Sequence, residues 1–86
     1  MSWVMYILYS GKDRNLYVGC TSNLNERIQR HMYGYVQATS HRRPLTLIHH
    51  ETFLDKAEAF KRERFLKSLW GAREKRKILQ QYLRIQ

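Results

Sequence analysis

The stretch from Met5 to Thr21 constrains the fold of this chain more than any other. Two short runs rich in Tyr, Val and Ile flank a polar segment that contains Gly11 and Asn15. Aromatic and β-branched residues on either side of turn-forming residues are typical of a β-hairpin with a longer loop. We therefore predict the first two strands here, with Tyr6 and Tyr17 on neighbouring strands.

Gly19 lies within the second predicted strand, two residues after Tyr17. A strand usually carries a side chain at such a position, and a glycine there indicates that something approaches the backbone closely. Two interpretations of the hairpin are open at this point. Its tyrosines either fill the edge of the core, which is the ordinary role of aromatic residues in strands, or belong to a functional site.

A helix is predicted to begin near Leu24, with Asn23 at its N-cap and Glu26 at the spacing of a capping box. Arg27 and His31 follow at positions i and i+4, so their side chains point the same way. A charged row beside an apolar stripe is usually a solvated flank. The position of Arg27 on the helix is therefore not enough to mark a site.

Residues 33–44 form a predicted loop whose second half is polar and basic, with His41, Arg42 and Arg43. The loop is either a plain surface connection or a rim that contacts phosphates. Residues 45–52 then supply a third strand, which is apolar enough to be central or well packed.

A second helix is predicted from its N-cap, Asp55, to about Leu69. On a helical wheel, Glu63 projects from inside an apolar arc that includes Ala59 and Leu66. A carboxylate in such an arc needs a partner. That partner is either a metal ion or one of three basic neighbours: Arg62, Arg64 or Lys67.

The 86 residues are expected to form one domain, residues 1–86, with a single modest core. Sixteen Lys and Arg against seven Asp and Glu give a formal charge of +9, which favours a polyanion as partner. Ten of the sixteen lie from Lys56 onward. This basic surface either solubilises the protein or binds a phosphate backbone. The last predicted helix begins at Ala72 and carries four of these cations: Arg73, Lys75, Arg76 and Lys77.

Other features exclude several classes of protein. No apolar run approaches the roughly 20 residues of a membrane span, and the first residues lack the features of a signal peptide. We therefore expect a cytoplasmic protein without membrane contact or a small-molecule cofactor. The single cysteine, Cys20, excludes an internal disulfide and has no neighbours at zinc-site spacing.

Several separated motifs together resemble the GIY-YIG nuclease superfamily, and most closely its small, standalone bacterial members. The resemblance extends from about residue 3 to residue 79 and implies an α/β (α+β) fold. In that fold a small three-stranded, mainly antiparallel sheet is flanked by helices. The motifs are Tyr6-Ile7, Tyr17-Val18-Gly19, Arg27 with His31, and Glu63.

The resemblance also implies a site. In this family two tyrosines, a helix arginine, a histidine or tyrosine one turn later and a glutamate on a later helix surround one scissile phosphate and one divalent metal ion. By resemblance, Tyr6, Tyr17, Arg27 and His31 are catalytic, and Glu63 holds one Mg²⁺ or Mn²⁺ against the phosphate. Arg27 would offer bidentate donors to the phosphate oxygens. Tyr17, helped by Tyr6 or His31, would activate or orient the water.

The function that the resemblance implies is a Mg²⁺-dependent endonuclease that hydrolyses phosphodiester bonds of DNA with a single metal ion, in DNA repair or recombination. A protein partner could supply targeting, because the chain is too short for a separate DNA-reading domain. The residues expected to contact nucleic acid are Gly19, Arg30, His41, Arg42, Arg43, Lys67, Arg73, Lys75, Arg76 and Lys77.

Two rival functions remain open at this point. One is a nucleic-acid-binding module of the same fold without catalysis, because no asparagine follows Glu63, where many family members have one. Lys67 is the nearest polar substitute. The other is a protein-interaction domain whose basic face meets an acidic partner, which would show no salt-sensitive affinity for DNA.

Overall fold

The computed structural model describes residues 2–85, and the ends of the predicted domain, Met1 and Gln86, lie outside them. Within these residues, the order of elements is β1 (Trp3–Ser10), β2 (Leu16–Thr21), α1 (Leu24–Met32), β3 (Leu45–Phe53), α2 (Lys56–Lys67) and α3 (Ala72–Arg84). Short 3₁₀ turns, Ser40–Arg42 and Leu69–Gly71, precede β3 and α3. The α+β fold with a three-stranded sheet is confirmed.

β1 is the central strand of an antiparallel sheet with the order β2-β1-β3. Residues 4–8 of β1 are all buried because strands flank it on both sides and helices cover both faces. The expectation that β3 is central or well packed needs correction. β3 is an edge strand that pairs on one side only, so most of its side chains are half-exposed or exposed.

The sheet separates two apolar clusters. On one face, Met5 and Ile7 of β1 pack with Leu66 of α2. On the other face, Tyr6 packs with Leu24 of α1. Successive residues of a strand point to opposite faces. The hydroxyl-bearing ring of Tyr6 therefore belongs to the α1 side of the sheet.

The N-caps of α1 and α2 are those predicted. The Asn23 side chain accepts a hydrogen bond from the Glu26 amide at 3.1 Å, and Asp55 accepts one from the Ala57 amide at 2.9 Å. Each cap satisfies an amide that the first helical turn leaves without a partner. α2 ends at Lys67, earlier than predicted, because the next residue has an extended backbone with ψ of 168°.

Arg62 joins three elements on the α2 side of the sheet. Its guanidinium donates to Glu51 of β3 at 2.8 Å and to Glu74 of α3, and His49 also bonds Glu51 at 2.8 Å. Burial raises the pKa of Glu51, but the hydrogen bonds from Arg62 and His49 outweigh it and leave that pKa below its usual value. Arg62 is thus engaged away from Glu63, the carboxylate for which it was a candidate partner.

Candidate active site

Tyr6 lies against the backbone of β2. It is paired with Gly19 in the sheet, and a Cβ atom on Gly19 would lie 2.4 Å from both Cζ and the hydroxyl oxygen of Tyr6. The close approach predicted at Gly19 is therefore made by the Tyr6 ring. Gly19 is buried beneath that ring, so its predicted contact with nucleic acid is corrected: the glycine makes room for Tyr6.

Three aromatic rings meet on the α1 side of the sheet. The Tyr6 and Tyr17 ring centroids are 6.3 Å apart, and the His31 ring stands edge-on to both, at 5.6 Å from Tyr6 and 5.2 Å from Tyr17. Tyr6 and His31 are fully buried, whereas Tyr17 is half-exposed. Of the three, Tyr17 is thus the ring that reaches solvent.

Both nitrogens of the buried His31 ring are hydrogen-bonded. Nε2 lies 2.9 Å from the Tyr6 hydroxyl, and Nδ1 lies 2.7 Å from the Thr39 hydroxyl. The Thr39 hydroxyl donates to the Val36 carbonyl at 3.5 Å. This pattern assigns the proton to Nδ1, which donates to Thr39, and leaves Nε2 to accept from Tyr6.

The environment keeps this hydrogen-bonded chain uncharged. Burial, together with the positive charge of Arg27, lowers the pKa of His31 to about 4. Burial and the neighbouring Tyr17 raise the pKa of Tyr6 far above its usual value, and Arg27 opposes this rise. At pH 7 the phenol and the imidazole are therefore both neutral. The Arg27 guanidinium lies close enough to affect both.

Glu63 of α2 reaches the same region from the other helix layer. Its side chain is 13 % exposed, and one carboxylate oxygen lies 3.0 Å from Nζ of Lys67, whose side chain is 51 % exposed. Its negative charge adds to the effect of burial in raising the pKa of Tyr6 and of Cys20. The carboxylate that was unusual in the helix pattern thus has Lys67, one of its three candidate partners, beside it.

A cleft of about 350 Å³ opens beside Arg27 at the start of α1. Arg30, expected to contact nucleic acid, also lines it, which places two guanidinium groups one turn apart on the same cleft. The other lining residues are polar and were not identified from the sequence as part of a site: Thr21, Ser22, Asn23 and Glu26.

Comparison with known proteins identifies the family. The GIY-YIG catalytic domain family matches residues 2–77. The chain belongs to this family. The resemblance found in the sequence motifs is therefore confirmed. Members of this family are generally nucleases that act on nucleic acid and depend on a divalent metal ion.

Relatives of this GIY-YIG domain include several UPF0213 proteins, one of them of known structure. A UPF0213 protein from Lactiplantibacillus plantarum is 45% identical over 65 residues, which are 71% of this chain but only 62% of the relative, under two thirds of its length. One from Desulfotalea psychrophila is 38% identical over 76 residues, 86% of this chain and 68% of the relative. The NMR structure of a UPF0213 protein from Bacillus halodurans, 31% identical, covers 93% of this chain and 84% of its own, with a TM-score of 0.56.

The basic loop of the GIY-YIG domain is less free than its sequence implies. The Arg42 guanidinium donates to Asp13 at 2.6 Å, and this hydrogen bond lowers the pKa of Asp13 to about 2. Arg43 donates to the Ser40 carbonyl at 3.1 Å, while His41 is exposed. Arg42 is therefore committed to holding the loop against the β1–β2 turn, which leaves it fewer donors for a phosphate.

The cations of α3 lie away from the Arg27 cleft of this domain. Lys75 and Arg76 line a cleft of about 380 Å³ together with Arg14 of the β1–β2 turn. Arg73 and Lys77 line another, of about 430 Å³, at the start of α3. The structure thus divides this basic helix between two surfaces. Within residues 2–85, no helix is both long and apolar enough to cross a membrane.

Thr39 is the polar residue of this region that sequence reasoning missed. It is fully buried, and its hydroxyl holds Nδ1 of His31. Thr39 lies in a loop without periodicity, eight residues after His31, so no local pattern connects the two. The contact forms only because the loop folds back over the end of α1.

Acidification should destabilise the domain through His31. The pKa of His31 is about 4 in the folded state and about 6.5 when unperturbed, so the unfolded state takes up the proton first. The stability from this group is fully present above pH 6.5 and is lost as the pH falls towards 4, by on the order of 3 kcal/mol. Denaturant unfolding across this range should show a smaller loss for His31→Gln than for wild type. Equal losses would contradict the buried, neutral imidazole.

Replacing Thr39 tests the proton assignment on His31. Thr39→Val should leave Nδ1–H without a partner and cost about 1–3 kcal/mol, whereas Thr39→Ser keeps the hydroxyl and most of the stability. The decisive readout is ¹⁵N NMR of the His31 ring at pH 7. Wild type and Thr39→Ser should show the Nδ1–H tautomer, and Thr39→Val should shift towards Nε2–H. An unchanged tautomer in Thr39→Val would show that Thr39 does not determine it.

Proposed function

We propose that this chain is an endonuclease that hydrolyses DNA phosphodiester bonds with one Mg²⁺ or Mn²⁺ ion. One observation carries the proposal: Tyr6 and Tyr17 of the sheet meet His31 and Arg27 of α1 at one place, and the charge of Glu63 reaches that place from α2. These are the residue types that the family uses. The proposed catalytic residues are Tyr6, Tyr17, Arg27 and His31, with Glu63 as the metal ligand.

The residues around Glu63 fit one metal ion held jointly with the substrate. Mg²⁺ is commonly bound through one or two carboxylates together with substrate phosphates and waters. Residues 2–85 contain no cluster of three or more His, Cys, Asp or Glu side chains that could hold an ion. A single largely buried carboxylate suits an ion that binds with DNA. Lys67, 3.0 Å from that carboxylate, occupies the place of a cation and would move towards solvent.

Each protein group has a defined task in this proposal. The Arg27 guanidinium donates to the non-bridging phosphate oxygens and neutralises the charge that grows there. Tyr17, half-exposed beside the buried rings, orients the attacking water. The neutral, hydrogen-bonded side chains of Tyr6, His31 and Thr39 hold the buried side of the site in place. When bound, the metal ion supplies Lewis-acid stabilisation of the phosphate and of the leaving oxygen.

The charge distribution supports a substrate recognised through its backbone. The formal charge of +9 attracts any nucleic acid, and phosphate contacts carry no sequence information. We therefore infer an enzyme that is directed by the structure or the ends of its substrate. We also propose that it acts on DNA in repair or recombination, in the cytoplasm, with targeting supplied by a protein partner. Arg30, in the same cleft as Arg27, is the proposed backbone contact nearest to the site.

A second candidate function is a nucleic-acid-binding module without catalysis. The Glu63–Lys67 ion pair favours it, because the pair satisfies the carboxylate without a metal ion. Metal titration discriminates between the two functions. If Mg²⁺ or Mn²⁺ added to the protein–DNA complex leaves the amide signals around Glu63 unmoved, the binding module is correct.

The test of activity is cleavage of supercoiled, branched and single-stranded DNA in Mg²⁺ or Mn²⁺. Wild type should cleave at least one of these substrates, and Arg27→Ala should lower the rate by at least about 100-fold because the charge on the phosphate is no longer neutralised. Arg64→Ala is the matched control, since Arg64 is exposed on α2 and should keep most of the activity. Equal rates for wild type and Arg27→Ala would defeat the proposal.

Glu63→Gln separates a metal ligand from a structural ion pair. It keeps the volume of the side chain but removes its charge, so cleavage and metal binding should be lost. In chelator, the free energy of unfolding should change by less than about 1 kcal/mol, because the Lys67 ammonium is half-exposed and is solvated by water when its partner is lost. Glu58→Gln, on the exposed start of α2, should behave like wild type. A loss of about 3 kcal/mol or more would identify a buried structural pair and contradict the metal assignment.

A further inference from the structure

The junction between α2 and α3 presents two large apolar side chains to solvent. Leu69 is 92 % exposed and Trp70 is 84 % exposed. Scattered exposed apolar residues are normal, but Trp70 lines a cleft of about 430 Å³ with Arg73, Glu74 and Lys77. An indole in a cationic cleft combines a flat apolar face with positive charge, and none of the proposed catalytic steps uses it.

The turn that carries Trp70 is tightly built. Gly71 donates its amide to the Ser68 carbonyl at 3.1 Å, and a Cβ atom on Gly71 would lie 2.2 Å from the Phe65 carbonyl oxygen and 2.5 Å from Cα of Leu66. Only glycine allows the chain to pass so close to the end of α2. The backbone next to Trp70 is thus closely packed against the end of α2, while the Trp70 ring lies at the surface.

The charge of this cleft is positive. Glu74 is paired with Arg62, which donates to it from α2, so Arg73 and Lys77 outnumber the one carboxylate of the cleft. In the described part of the chain, neither Arg73 nor Lys77 takes part in an ion pair, and both are exposed. Both cations are therefore available to anionic groups that lie beside the indole ring.

We propose that Trp70 stacks on an unpaired base of single-stranded DNA whose phosphates lie on Arg73 and Lys77. Aromatic side chains flanked by cations bind single strands in this way, because every base has a face that can stack. A base in an intact duplex does not offer that face. An apolar protein partner would leave both cations without counter-charges. This inference rests on the proposed function and narrows its substrates to DNA with unpaired nucleotides, such as overhangs, flaps and branches.

The test is binding of a short single-stranded oligonucleotide in chelator, followed by fluorescence anisotropy. Trp70→Ala should weaken binding by at least about five-fold. The matched control is Leu69→Ala, since Leu69 lies in the same turn, is similarly exposed and has no ring. It should change the affinity by less than about two-fold. Folding of both variants is checked by thermal unfolding, which removal of such exposed side chains should leave nearly unchanged.

Two further measurements separate stacking from charge. An oligonucleotide with abasic sites keeps its phosphates, so it should bind wild type and Trp70→Ala equally. Arg73→Gln with Lys77→Gln should flatten the dependence of affinity on salt, by about 0.7 in slope for each lost phosphate contact, whereas Trp70→Ala should leave that slope unchanged. In Trp3→Phe, where Trp70 is the remaining tryptophan, single-stranded DNA should quench the fluorescence.

Several results would overturn the stacking proposal. One is an affinity of Trp70→Ala for the single-stranded oligonucleotide equal to that of wild type. Another is a loss of affinity for blunt duplex DNA as large as the loss for single strands. A third is a change in self-association or protein binding of Trp70→Ala while its DNA affinity is kept. Because these assays are made in chelator, they do not depend on cleavage. If Trp70 stacks on DNA but no DNA is cleaved, the nuclease proposal is wrong and the stacking proposal holds. If DNA is cleaved but Trp70→Ala binds it as tightly as wild type, the stacking proposal is wrong and the nuclease proposal holds.

Discussion

The candidate site depends on one contact, in which the Tyr6 ring lies on the backbone of Gly19. The antiparallel register places these residues opposite each other, and any larger residue at position 19 would occupy the space of the Tyr6 hydroxyl. With the ring in this place, its hydroxyl meets Nε2 of His31. The charges of Arg27 and Glu63 act on the same hydroxyl from opposite layers. Strand pairing and a glycine thus determine where the proposed chemistry takes place.

Features that depend on neighbouring residues were predictable from the sequence. The hairpin and the caps at Asn23 and Asp55 agree with prediction because turn formers, alternation and side-chain caps act within a few residues. The position of β3 at the sheet edge was not predictable in this way. Apolar content does not say which strands are neighbours, and the pairing is decided by how the whole chain packs.

The site itself was predictable only in part. The family motifs named Tyr6, Tyr17 and His31, whose rings the structure brings together, but neither the motifs nor helix periodicity identified Thr39. Thr39 was missed because it meets His31 only when the loop after α1 folds back over the end of that helix. The ion pair between Arg42 and Asp13 was missed for the same reason, because 29 positions separate the two residues. A count of charges therefore overstates the number of cations that are free to meet a phosphate.

The central claim is that Arg27 and Glu63 act on one phosphate and one metal ion. Anomalous diffraction from Mn²⁺, in crystals of a slowed variant such as Tyr17→Phe bound to DNA, tests it most directly. We predict a single Mn²⁺ peak that contacts a Glu63 carboxylate oxygen and the phosphate held by Arg27, with Lys67 displaced. Bound DNA with no Mn²⁺ at Glu63, or with Mn²⁺ held elsewhere, would contradict the account.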